Sequence, residues 1–208
     1  MIYIYIDNYN SDSALYLLDG LNKVIKSDDS TSLSKLYNIN SFVYEKVKNY
    51  ELSTEYRKKT LALLKSYEIS KDEYMSTLSR IVSNYVNLYK NSLNTSFRDS
   101  AFHYVNIFEN QSNIHNKKWL SFSYYLKSKL VLVDSNFSLS LSYNYAFDSL
   151  EKIYGGNGIY ANMNIFNDLT KYSNLAYLGY DFAIPILENL IHNPFMLDQK
   201  ANTCKLLY

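Results

Sequence analysis

Proline is almost absent from this chain of 208 residues. There are two, Pro185 and Pro194, so the first 184 positions hold none. Proline is the residue that most reliably breaks a helix from inside, and a long all-helical chain is the natural consequence of its absence. Glycine is nearly as scarce, with five in total, three of them in Gly155-Gly156-Asn157-Gly158. Such a run predicts a helix stop. A phosphate cradle would need a strand before the glycines, whereas the segment that precedes them has helical periodicity. Cysteine occurs once, as Cys204. It cannot form an internal disulfide, which fits a reducing compartment, and its place does not make a prenylation box.

Long apolar runs are missing too. No stretch approaches the roughly 20 apolar residues of a membrane span. The apolar start, Met1 to Ile6, stops at Asp7 and lacks the basic flank of a secretory signal. A soluble, cytoplasmic protein with no membrane partner is expected. Neither sign of charge dominates, with 21 Lys and Arg against 20 Asp and Glu. Only Arg57, Arg80 and Arg98 are arginines. Without a basic field to hold a phosphate backbone, nucleic acid is not an expected partner. Arg57-Lys58-Lys59 and Lys117-Lys118 read as solvent-facing positions on helices. His103, His115, His192 and Cys204 have no metal-ligand spacing. No nucleophile elbow, Walker loop or paired-cysteine motif is present, and no metal or cofactor is expected.

What the chain has in quantity is tyrosine, 23 residues, with 10 Phe and many Asn and Ser. Codon usage in an AT-rich genome favours several of these residues. Within this composition a pattern recurs five times: an aromatic, a few polar residues, a small residue, then apolar residues at helical spacing. The copies are Tyr9 to Leu21, Tyr50 to Leu61, Phe97 to Phe108, Tyr143 to Tyr154 and Tyr180 to Ile191. Their small residues are Ala14, Ser53, Ala101, Ala146 and Ala183. Recurrence on this scale signals helical hairpins stacked side by side. Between the copies lie further helices, carrying Leu36, Ile39, Val43 and Val47, then Leu78, Ile81, Val82 and Tyr85, then Trp119, Phe122, Leu126 and Leu130. Polar stretches at 90–96 and 109–118 read as loops. Pro185 is comfortable only in a first turn, so the last helix is expected to begin near Phe182.

The expected fold is all-α: antiparallel helical hairpins stacked as a short α-solenoid of nine or ten helices. It forms one domain over 1–208, with a lead-in at 1–8, hairpins over 9–192 and an irregular tail from 193.

These positions resemble the tetratricopeptide repeats, antiparallel helix pairs of about 34 residues. Trp119, Phe122, Ser123 and Leu126 match the first helix of that motif, as do Leu36, Ile39, Asn40 and Val43, and Leu78, Ile81, Val82 and Tyr85. Ala146, Leu150 and Ile153 match the second helix, as do Ala183, Leu187 and Leu190. Ser53, Arg57 and Thr60 also follow it, with Arg57 replacing an aromatic. The repeats here are longer and unequal, and resemble the receptor domains of bacterial peptide-sensing regulators, without the helix-turn-helix those carry. The resemblance implies a groove lined by the first helices. Arg80, Ser83, Asn84 and Asn87 would face it from one helix, Ser41 and Glu45 from another, and Tyr124 and Lys127 from a third. Asn can pair with an extended peptide backbone, and Tyr supplies rigid contact area.

The expected function is non-catalytic binding of a protein or peptide, as an adaptor, receptor domain or assembly subunit. A second reading rests on Arg98-Asp99-Ser100-Ala101-Phe102-His103, which resembles the motif of the HEPN ribonucleases. There, paired protomers cleave RNA without a metal, Arg98 stabilising the phosphorane and His103 moving protons. A third is a structural or host-interaction protein of a virus or parasite, suggested by composition alone.

Overall fold

A computed structural model describes residues 11–24, 30–66, 71–115, 117–154 and 163–192. The lead-in, the glycine run, Cys204 and the tail lie outside the described residues. Nine helices are present among those described: α1 Ser11–Val24, α2 Ser30–Lys46, α3 Tyr50–Ser66, α4 Lys71–Ser92, α5 Thr95–His115, α6 Lys118–Val133, α7 Phe137–Tyr154, α8 Met163–Tyr177 and α9 Ala183–Ile191. The chain is all-α, as expected, and α9 begins with Pro185 in its first turn. It divides into two compact units, Met1–His115 and Asn116–Tyr208, a boundary that no composition shift marks.

In each unit successive helices pack against one another, and the hydrogen bonds between them show that they run antiparallel. Asn84, late in α4, donates to Ser53, early in α3. In the second unit Ser121, at the start of α6, donates to Glu151 near the end of α7, while Ser128 and Ser140 meet at the other end.

Four of the described turns share one feature, a left-handed residue. Lys48, Leu93 and Ser135 have φ of 61°, 55° and 56°, and Gly179 has φ of 86°. Positions 48, 93, 135 and 179 lie at intervals of 45, 42 and 44 residues. A left-handed residue at this place ends a helix by turning its last carbonyls onto following amides. The Asn49 amide bonds to Tyr44 and that of Lys48 to Glu45, and the same pair of bonds closes α6 and α8. After the first three of these residues stands Asn49, Asn94 or Asn136, whose side-chain oxygen accepts from Leu52, Ser96 or Leu139 and caps the next helix. Asparagine at these places has a backbone role that codon preference alone would not explain.

Burial follows the apolar spacing. In the first unit Ala14 and Leu18 of α1 pack on Val43 of α2, flanked by Leu21, Ile39 and Phe42. α4 is the central helix, buried at Met75, Leu78, Ile81, Val82, Tyr85, Val86 and Tyr89. In the second unit α6 is buried at Trp119, Phe122, Leu126 and Leu130, and Leu169 of α8 packs on Leu187 of α9. Four of the five small residues, Ala14, Ser53, Ala101 and Ala183, are fully buried. Ala146 is only half-buried. The inward stripe of α7 runs Ser140, Asn144, Phe147, and Ala146 lies about 100° around the helix from Phe147.

Other sequence expectations are corrected. Helix α4 continues to Ser92 and α5 to His115, so the polar stretches at 90–96 and 109–118 are largely helical. A helix tolerates polar residues on its open side, and inside α5 the buried Ser112 satisfies itself by donating to the Phe108 carbonyl. Arg57 is not solvent-facing: only Lys58 and Lys59 of that cluster are exposed, and Arg57 is buried. Its guanidinium reaches Glu45 at 2.7 Å, which lets a cation occupy an aromatic's place.

Candidate interaction surface

The stripe of α4 left open by packing is narrow. Arg80, Ser83 and Asn87, at spacings of three and four, fall on it. Asn84 is one residue off and lands in the core, its amide bonded to Ser53 at 2.9 Å. Ser41 is likewise buried, donating to the Asn38 carbonyl within its own helix. Neither side chain faces an open groove. Glu45 and Arg80 do come together, at 3.3 Å, and Glu45 also holds Arg57. Asn38 donates to Glu73 beside them. Around Glu45 these groups satisfy one another and tie α2, α3 and α4 together, while Ser83 and Asn87 stay on the open stripe.

In the second unit Lys127 lies over the rings of Tyr124, at 5.1 Å, and Tyr143, at 5.9 Å. This half-buried cluster joins α6 to α7. Arg98 and His103 both lie on α5, where five residues turn the helix by about 140° relative to the starting direction. Arg98 sits over the Phe102 ring and His103 stands edge-on to Tyr104, so the two side chains are not brought together within the chain. Among the described residues no three His, Cys, Asp or Glu side chains cluster as a metal site requires. No described helix is long and apolar enough to cross a membrane.

Among the described residues, exposed apolar side chains gather at the turn from α8 to α9. Tyr177, Leu178, Tyr180, Phe182 and Ile184 follow one another closely, and all are exposed: Tyr177 by 63% and Phe182 by 57%. A single exposed aromatic is ordinary, but five large apolar side chains on one turn point to a contact surface. The turn is held firmly. Tyr180 and Gly179 donate to the carbonyls of Leu175 and Ala176, and Ala183 and Ile184 donate to those of Tyr180 and Asp181. Gly179 supplies the positive φ that a bulky residue would resist. The Tyr177 ring stacks on Phe137, at the start of α7, with 4.6 Å between centroids. Phe182 is the cap residue of α9 and offers no side-chain hydrogen bond there. Its backbone is already helical, at φ −61° and ψ −18°, and the Ala183 and Ile184 amides are taken by the Tyr180 and Asp181 carbonyls, so the Phe182 side chain is left to the surface.

A polar seam beneath the turn fixes its position. Asn167, Lys171 and Asn174 share one face of α8, and Ser140, Asn144 and Asp148 share one face of α7. The Asn174 amide donates to Ser140 at 2.8 Å and to Asn144 at 3.0 Å. Asn144 donates to Ser128 at 2.9 Å and to Asn167 at 2.8 Å, and Asn167 donates to Asp148 at 2.8 Å. Asn144, Asn167 and Asn174 are fully buried. Each bond demands one axial register, so the end of α8 meets the start of α7 and Tyr177 is set against Phe137.

Lys171 closes the seam, its ammonium 2.7 Å from Asp148 and 2.6 Å from Asp168. Burial alone would lower its pKa, but the two carboxylates outweigh that and hold it above the ordinary lysine value. A pKa raised on folding contributes stability that is complete below the unfolded value, about 10.4, and disappears as pH rises through the folded one. Urea unfolding of the wild type is therefore expected to show an alkaline loss of stability, beginning above about pH 10, that is smaller in Lys171→Met, where the raised Lys58 and Lys59 still contribute. Identical alkaline losses in both proteins would contradict this role.

The sequence reading did not single out this seam or the turn as a surface. The signal was available as Asn and Ser at spacings of four and seven on α7 and α8, where a packed helix should carry apolar residues. No protein-family model matches the chain, and a search among curated proteins also finds no match.

Proposed function

We propose that this chain is a non-catalytic protein- or peptide-binding module built from helical hairpins. The observation that carries the reading is the ordered turn bearing Tyr177, Leu178, Tyr180, Phe182 and Ile184 exposed together. Rigid aromatics at low conformational cost are what binding hot spots use. The recurring turns at 48, 93, 135 and 179 and the burial of Ala14, Ser53, Ala101 and Ala183 support kinship in design with tetratricopeptide repeats. The contact surface, in this reading, is the α8–α9 turn. The α2–α4 face around Glu45 serves stability.

The test is affinity capture from native lysate with wild-type chain and with a Tyr180→Ser, Phe182→Ser variant. Both side chains are more than half exposed, so the variant is expected to keep its circular dichroism and unfolding midpoint while losing the captured partner. A partner retained in full by the folded variant contradicts the assignment. An RNA cleavage assay on wild type and on Arg98→Ala, His103→Ala checks the ribonuclease reading. No cleavage attributable to those two residues is expected, and cleavage abolished by the double substitution would establish that reading in place of ours.

A further inference from the structure

The two segments that carry the surface have acidic residues but no basic ones. Residues 130–142 and 173–187 form the turns and helix ends that meet where Phe137 stacks on Tyr177 and Asn174 bonds to Ser140. They contain no Lys or Arg, and their only charged residues are Asp134 and Asp181. Asp181 follows Tyr180 and precedes Phe182 in the sequence, and those two rings are in edge-to-face contact at 5.9 Å. Asp181 is exposed, and its backbone oxygen is the group that holds the Ile184 amide.

We infer that the partner of this surface is a cationic amphipathic segment of another protein, one that places Lys or Arg among its apolar side chains. The inference rests on the binding reading above and adds the partner's chemistry. Asp181 is exposed and adjoins both in the chain, so an occupant that covers Tyr180 and Phe182 comes against an acidic residue. Withdrawing an ionised carboxylate from water without a counter-charge is costly, so a purely apolar or acidic occupant loses part of what the aromatics contribute. A Lys or Arg supplies the counter-ion, and the faces of Tyr177, Tyr180 and Phe182 attract the same cation. Two further occupants are disfavoured by the same charge. A second copy of the patch would set Asp181 against Asp181, and an anionic lipid surface would repel both aspartates.

The probes are two fluorescein-labelled amphipathic peptides with identical leucine positions, one with lysine between them and one with glutamate. Each is titrated into the full chain at low salt and followed by anisotropy. The lysine peptide is expected to bind at least tenfold more tightly than the glutamate peptide. Asp181→Asn, which keeps shape and backbone, is expected to weaken the lysine peptide several-fold, and Asp181→Lys to reverse the preference. Tyr180→Ser with Phe182→Ser is expected to abolish both interactions. Equal binding of the two peptides, binding indifferent to Asp181, or no binding of the lysine peptide overturns the inference. A captured partner still dependent on Phe182 would leave the surface itself standing in those cases. Flotation with phosphatidylcholine–phosphatidylserine vesicles supplies the remaining arm, and vesicle binding lost in the Phe182 variant would overturn the inference in favour of a lipid surface.

Discussion

Asn144→Ala is expected to destabilise the second unit by about 2–4 kcal/mol, several times the typical effect of a surface change. The side chain is fully buried. It donates to Ser128 and Asn167 and accepts from Asn174. Truncation therefore leaves three buried partners short of a bond, and each unsatisfied group costs about 1–3 kcal/mol before relaxation. Partial rearrangement among neighbouring hydroxyls holds the total below the sum. The network should also behave as a unit. In a cycle with Asn174→Ala, the two losses are expected to be non-additive by about 1 kcal/mol or more. Urea unfolding followed by circular dichroism measures both quantities. A loss under about 0.5 kcal/mol, the size of an ordinary surface change, would show that the seam does not hold α7 and α8 in register.

Glu45→Ala is the second large effect, expected to cost about 2–4 kcal/mol. Its carboxylate faces Arg57 at 2.7 Å and Arg80 at 3.3 Å, and the Arg57 side chain is only 5% exposed. Removing one partner of a buried pair is costly because the other stays behind, charged, in a poor solvent. The figure is set below the 3–5 kcal/mol of fully buried pairs because Glu45 and Arg80 are themselves partly in water. Arg57→Met, which removes the charge and keeps apolar length, is expected to cost clearly less. The comparison separates two roles for Glu45. A groove residue would lose binding at unchanged stability, whereas a structural one loses stability first. A Glu45→Ala protein as stable as wild type would return this residue to the binding face.

The contrast between these residues explains what was legible in the sequence. Helical period, scarcity of proline and the small residue at each recurrence are local signals. They place α1, α3, α5, α7 and α9 on the five recurring segments. Polar residues were harder to read, because their role depends on what stands opposite them. Asn84 and Asn87 look alike in the sequence, three residues apart on one helix. Asn84 meets Ser53 in the core, while Asn87 lies on the open stripe. Arg57 read as solvent-facing because its counter-ion is twelve residues away on another helix. The aromatic turn was hidden differently. Tyr177, Tyr180 and Phe182 carry the same letters as core aromatics such as Tyr85, Tyr89 and Phe108, and only the Gly179 turn, with Phe182 just before α9, places them outside. Even the asparagines of the hairpin turns follow this logic: Asn49, Asn94 and Asn136 act through the left-handed residue before each of them.

The central claim, that this chain works by presenting the α8–α9 turn to another protein, is tested most directly by hydrogen–deuterium exchange. The chain would be measured alone and bound to its captured partner. The expected result is slowed exchange over residues 177–184 and the adjoining start of α7, with exchange across α2, α3 and α4 unchanged. Slowing confined to α2 and α4 around Glu45 and Arg80, with residues 177–184 unaffected, would contradict the account.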